Sequence, residues 1–166
     1  MMKRRPALAA LAALATLPLL AATAAARAAP AQPGAAVAWP AVTLLDGTRW
    51  KPAAGQAVVT VFWATTCPFC KRHNEHVEKL HRAARGKALT VLGIARDRDP
   101  ETVRRMMADK QWSFPVSMDH GPLAAALSQR NMIPLTVTVD RGGRLGQVIP
   151  GEMFEEDLLD MLRLAA

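Results

Sequence analysis

Seven residues from Ala57 to Trp63, mostly apolar and β-branched, run almost directly into Cys67-Pro68-Phe69-Cys70. Only Thr60 breaks the apolar character of the run, the pattern of a strand buried on both faces. Pro68 has no backbone N–H to donate and suits the first turn of a helix. The chain therefore passes from a covered strand into a helix within a few residues. One cysteine stands at the helix mouth and the second lies one turn inside. A sheet with helices packed over it accommodates that junction; a small loop-rich domain does not.

These are the only two cysteines among 166 residues. A bridge across two residues closes almost no loop and adds little stability, so chemistry explains the pair better than stapling. Thiolate is the attacking species in disulfide exchange, and the free N–H groups and dipole at a helix N-terminus favour it. Cys67 is expected to be exposed and nucleophilic. Cys70 is expected to be shielded and to resolve a mixed disulfide formed at Cys67.

Along the rest of the chain, Val42 to Leu45, Asp46-Gly47 and Thr48 to Trp50 predict a hairpin, since Asp-Gly supplies its turn. The helix from Pro68 extends to about Ala84, with Phe69, Val77 and Leu80 as inward candidates and Gly86 past its end. Leu89 to Ala95 reads as a second buried strand. Asp99 caps a helix opened by Pro100 and running to about Lys110. A short strand around Phe114 to Met118 precedes a helical stretch from Pro122 to Arg130. Leu135 to Val139 and Arg144 to Ile149 form an antiparallel pair, and Glu152 to Leu164 a closing helix. Elements in this order predict an α/β domain, a central mixed sheet with helices on both faces and an N-terminal hairpin extension.

The N-terminus has a different character. Lys3, Arg4 and Arg5 precede an Ala/Leu run from Ala7 to Ala22, and Ala26-Arg27-Ala28 fits a small-residue cleavage site. This is the pattern of a secretory signal over residues 1–28, with 29–38 as a flexible Ala/Pro/Gly tether and 39–166 as the domain. Interrupted by Thr16 and Pro18, the apolar run makes a poor permanent membrane span; a retained anchor is the competing reading. Residues 1–28 carry four basic and no acidic groups, so their removal takes the formal charge from +7 to +3. Nucleic-acid binding loses its main support with them.

The run Val61-Phe-Trp-Ala-Thr-Thr-Cys-Pro-Phe-Cys-Lys71 resembles the active-site segment of thioredoxins. Asn131-Met-Ile-Pro-Leu-Thr-Val-Thr-Val-Asp140 with Arg141-Gly-Gly-Arg144 resembles their cis-proline strand and final hairpin. With the N-terminal hairpin and the segment between Arg96 and Gln129, residues 39–164 are most similar to the TlpA/ResA-like thiol–disulfide oxidoreductases. The resemblance implies a thioredoxin fold and a cis Pro134 beside the Cys67 sulfur. Such a proline would present the Ile133 backbone to an extended client segment. Pro68, Phe69, Ile133 and Trp63 are the implied substrate-site residues, Trp63 packing beneath. Also implied are protein disulfide substrates, apocytochrome c among them, and a membrane-embedded thiol donor for re-reduction. A periplasmic monomer without cofactor or metal is expected.

Two departures stand out. Thioredoxins carry a buried Asp where this chain has Val61, and many TlpA/ResA-like reductases carry Glu where it has His73. His73 is the replacement candidate for handling the Cys70 proton, because imidazole titrates near working pH; a solvated helix histidine is the plainer alternative. Other readings fare less well. Cys67 and His76 are nine residues apart, a helical rise of roughly 13 Å, so Cys67, Cys70, His73 and His76 cannot share one zinc ion. A peroxiredoxin motif would need Pro at Thr60 and Thr at Ala64. A redox-silent peptide-binding module leaves two thiols at a helix start unexplained. Oxidases of the DsbA type insert a helical domain before the cis proline, and only 63 positions separate Cys70 from Ile133. That favours a reductase over an oxidase or isomerase. Arg96, Arg98, Arg104 and Arg105 form either a basic docking patch or a solvated helix face.

Overall fold

The computed structural model describes residues 32–166; the proposed signal and its cleavage site lie outside them. Two short strands, β1 (Val42–Thr43) and β2 (Arg49–Trp50), pair antiparallel. Gly47 takes a φ of 87° in the connecting turn, where Thr48 N donates to Asp46 Oδ1 at 2.9 Å.

The main sheet contains β3 (Ala57–Trp63), β4 (Leu89–Ala95), β5 (Val116–Ser117), β6 (Leu135–Val139) and β7 (Leu145–Pro150). Their order is β5-β4-β3-β6-β7. The first three pair in parallel, while β6 and β7 are antiparallel, giving the mixed sheet expected. Helices α1 (Pro68–Ala83), α2 (Pro100–Asp109) and α3 (His120–Leu127) connect the strands, and α4 (Glu155–Leu159) closes the chain.

Every residue of β3 is buried, and alternate side chains enter opposite layers. Val59, Val61 and Trp63 pack with Val77 and Leu80 of α1, Val103 of α2 and Leu158 of α4. Val58 and Phe62 pack with Leu92, Leu123, Leu127 and Leu135, so α3 covers the other face. Gly93 in β4 is required by this packing. A Cβ there would come within 2.9 Å of Phe114 Cε2 and 3.1 Å of Trp63 Nε1, too close for either ring.

Four details depart from expectation. Phe69 points outward, 56% exposed, on the solvent side of a first turn whose inner side is taken by the fully buried Cys70. The tether expected to reach residue 38 is pinned from Gly34 onward. Gly34 N donates to Leu145 O at 2.6 Å, and Val37 N to Gly143 O at 2.9 Å. The stretch expected as helix from Pro122 to Arg130 spans His120–Leu127 instead. Finally, the closing helix begins at Glu155 and tightens into a 3-10 helix over Asp160–Ala165. Met153 cannot join it, since its N–H and carbonyl are bonded to His73 and His76 of α1.

Candidate active site

The strand that carries the site stops at Trp63 because the next residues are held elsewhere. Arg96 N donates to Trp63 O at 2.9 Å, extending the β3–β4 ladder by one rung. Asp97 then clasps Thr65: its carboxylate accepts from Thr65 N at 3.1 and 3.2 Å and from Thr65 Oγ1. Thr65 is buried two residues before the first cysteine, so this clasp sets where the turn releases the chain into α1.

Cys67 is the N-cap of α1, in extended conformation with φ −90° and ψ 112°. Its Sγ accepts the backbone N–H of Cys70 at 3.1 Å, which places sulfur where a capping oxygen would sit. Pro68 follows at the first helical position, and the first turn of α1 holds no acidic residue. Negative charge arriving on Cys67 therefore meets free N–H groups and no carboxylate on its own turn. Cys67 and Cys70 form a disulfide, with Cα atoms 5.2 Å apart. Cys67 is half-buried and Cys70 fully buried, so only the first sulfur offers itself to a partner.

The second part of the site arrives from β6. Leu135 pairs with Phe62, so Pro134 enters at the same end of the sheet as the Trp63–Cys67 turn. The Ile133–Pro134 peptide bond is cis. Pro134 O accepts from Gly151 N at 2.9 Å. Ile133 is half-buried and Met132 is 49% exposed, so apolar surface leads into the proline. Arg96 anchors this approach: its guanidinium donates to Asn131 O, Asn131 Oδ1 and Arg130 O, each at 3.0 Å, and lies over the Phe62 ring. Consecutive residues at the end of β4 thus hold both halves of the site, Arg96 the proline loop and Asp97 the cysteine loop.

His73 occupies neither role expected for it. It is fully buried, which removes the solvated reading. Its Nδ1 accepts from Met153 N at 3.1 Å, leaving the ring proton on Nε2 to donate to Thr136 Oγ1, also at 3.1 Å. Burial, aided by His76, pushes its pKa down to about 4. The ring is therefore neutral near pH 7 with its lone pair already engaged, and it has no capacity left for the Cys70 proton. It ties α1 to β6 and to the segment before α4.

Trp63, expected to pack beneath the site, is fully buried and edge-on to Trp112, with ring centroids 5.7 Å apart. Phe69 and Pro68 are exposed beside Cys67, and Arg72 stacks 5.0 Å over the Phe69 ring while pairing with Glu152. Of the four arginines read as either a docking patch or a solvated helix face, three have partners within the chain: Arg96 as described, Arg104 on Leu45 O and Arg105 on Thr102 Oγ1. Arg98 is exposed.

Two contributors to the site escaped sequence reasoning: Asp97, and Arg96 as an anchor.

Residues 33–162 match the Redoxin family. A relative, the thiol-disulfide oxidoreductase ResA of Halalkalibacterium halodurans, is 26% identical over 110 residues, 66% of this chain. The chain spans 62% of that relative, under two thirds of its length. Among solved structures, a thioredoxin-family thiol:disulfide interchange protein from Chlorobium tepidum superposes with a TM-score of 0.72. It is 24% identical and covers 82% of this chain and 99% of its own. A protein from Corynebacterium glutamicum, described as a secreted thiol-disulfide isomerase, superposes with a TM-score of 0.70 at 26% identity. That match covers 78% of this chain and 84% of its own.

Proposed function

Since the chain belongs to the Redoxin family and is a ResA/TlpA-like member of the thioredoxin superfamily, we propose that it reduces protein disulfides outside the cytoplasm with its Cys67/Cys70 dithiol. The observation that carries this reading is the asymmetry of the pair: Cys67 half-buried as helix N-cap, Cys70 fully buried one turn behind it. Reduced Cys67 attacks a client disulfide and forms a mixed disulfide, releasing one client thiolate. Cys70 then attacks Cys67 Sγ, the bond to the client sulfur breaks, and the second client cysteine leaves reduced. Two electrons pass to the client, and the protein is left as the Cys67–Cys70 disulfide.

The direction rests on what lies between the two halves of the site. Between Cys70 and Ile133 the described residues form the remainder of α1, then β4, α2, β5 and α3, with no inserted helical unit. Pro68, Phe69 and the Ile133–Pro134 segment are the surface against which an extended client strand would lie. An oxidising compartment offers no thiol pool, so a membrane-embedded thiol donor regenerates the dithiol, and apocytochrome c is one client class. Residues 1–28 act as the export signal to the periplasm, with membrane anchoring if they are retained, and the domain works as a monomer. No helix of the described residues is long and apolar enough to cross a membrane.

Disulfide isomerisation is the second reading, favoured by the likeness to the Corynebacterium protein. Two assays separate them. With a dithiol donor present, the protein is expected to accelerate reduction of insulin disulfides well above a Cys67→Ser variant. Recovery of activity from scrambled ribonuclease without net reduction would favour the isomerase instead.

A further inference from the structure

The buried stripe of α1 carries three polar side chains among Cys70, Val77 and Leu80: His73, Asn74 and Glu78. Two are fully partnered. His73 is bonded at both ring nitrogens. Glu78 accepts from Ser113 N and Oγ at 2.7 Å each, from Phe114 N at 3.3 Å and from Arg82 Nε at 2.6 Å. Asn74 is the exception. It is fully buried, and neither its Oδ1 nor its Nδ2 has a hydrogen-bond partner among the described residues.

Burying an amide without partners is unfavourable, and an apolar residue of the same size would avoid that cost. A chain that keeps Asn at such a position points to a state in which the amide is used. Asn74 is four residues after Cys70, so the two lie on one helix face. Side chains of a helix lean toward its N-terminus, which tilts the Asn74 amide over the turn that holds Cys70. In the disulfide Cys70 sulfur has no proton to donate and accepts weakly. Reduction changes both properties.

We propose that Asn74 is the hydrogen-bonding partner of reduced Cys70. In the thiol form Cys70 S–H donates to Oδ1; in the thiolate form Nδ2–H donates to Sγ, a charge-assisted bond stronger than the neutral one. The assignment rests on the thiol–disulfide reading above. It supplies a polar contact to the resolving sulfur where Val61 leaves β3 apolar and His73 has no free lone pair. In the resolving step the Cys70–Cys67 bond forms as the Cys67–client bond breaks. The proton that Cys70 gives up ends on the client thiolate, and Asn74 holds the sulfur while it is charged without taking the proton itself.

A partner available only after reduction stabilises the dithiol over the disulfide, and its loss has a defined sign. In thiol–disulfide buffers, Asn74→Leu is expected to shift the Cys67/Cys70 equilibrium constant about tenfold toward the disulfide, about 30 mV more negative for two electrons. A purely structural amide, satisfied by buried water in both redox states, would change the stability of each form alike and leave the constant unmoved; that result overturns the assignment. Asn74→Ala, smaller and helix-favouring, serves should the leucine variant fail to fold. It is uncharged and cannot donate to a thiolate, so the Cys70 thiol should titrate at higher pH by ultraviolet thiolate absorbance, and an unshifted titration would again overturn the proposal. The wild-type potential bears on the reductase reading, whereas the ratio of variant to wild type bears on Asn74 alone.

Discussion

A Cys70→Ser variant is expected to lose turnover and to accumulate as a covalent adduct with its protein client, one client per chain, whereas Cys67→Ser should form none. The asymmetry follows from position. Cys67 is half-buried at the mouth of α1 and can reach a client sulfur, while Cys70 is fully buried and can reach only Cys67. Without the second sulfur, the mixed disulfide must wait for a thiol from solution. Well-oriented intramolecular reactions reach effective molarities of about 10⁵–10⁸ M, and external thiol at ordinary concentrations does not replace that advantage. Intact mass spectrometry after acid quenching reads the result directly. Equal adduct yields from the two variants would contradict the division of labour between nucleophile and resolving thiol.

The second large effect is on stability and comes from His73. Burial lowers its pKa from 6.5 to about 4 in the folded protein. As pH falls below 6.5 the unfolded chain takes up a proton there that the folded chain refuses. Stability is therefore lost as pH falls through this window, and the loss from this group is complete below about 4. At 1.36 kcal/mol per pH unit of difference the loss is about 3 kcal/mol. His76 and Glu152 face the same ring, His76 opposing its protonation and Glu152 favouring it. His73→Gln retains an acceptor for Met153 N and a donor for Thr136 Oγ1 but does not titrate. Urea unfolding of both proteins between pH 7 and pH 4 should show a steeper loss for wild type, by about that amount. Parallel curves would mean the imidazole is not held neutral.

The same residue shows where sequence reasoning reached and where it stopped. β3 and β4 run over the residues expected because continuous β-branched apolar runs leave little choice, and Asp99 caps α2 through a contact only two or three residues away. Cys67 and Cys70 were legible for a similar reason, their chemistry being local to one turn. His73 was visible as a departure from the family pattern, but its function is set by Thr136 and Met153, 63 and 80 residues away. No local signal reports those partners. The late start of α4 has the same origin, since Met153 is held by α1 before it can enter a helix. Asp97 and Arg96 follow a strand that looked complete at Ala95, and only the sheet topology brings them beside the two loops they hold.

The reduction potential of the Cys67/Cys70 couple, measured by equilibrating the mature protein in defined thiol–disulfide buffers, bears most directly on the proposed activity. A value near or below about −250 mV, alongside thioredoxin-like donors, is the expected result for a protein-disulfide reductase. A value around −120 to −180 mV would contradict it and place the protein with the couples that form or reshuffle disulfides.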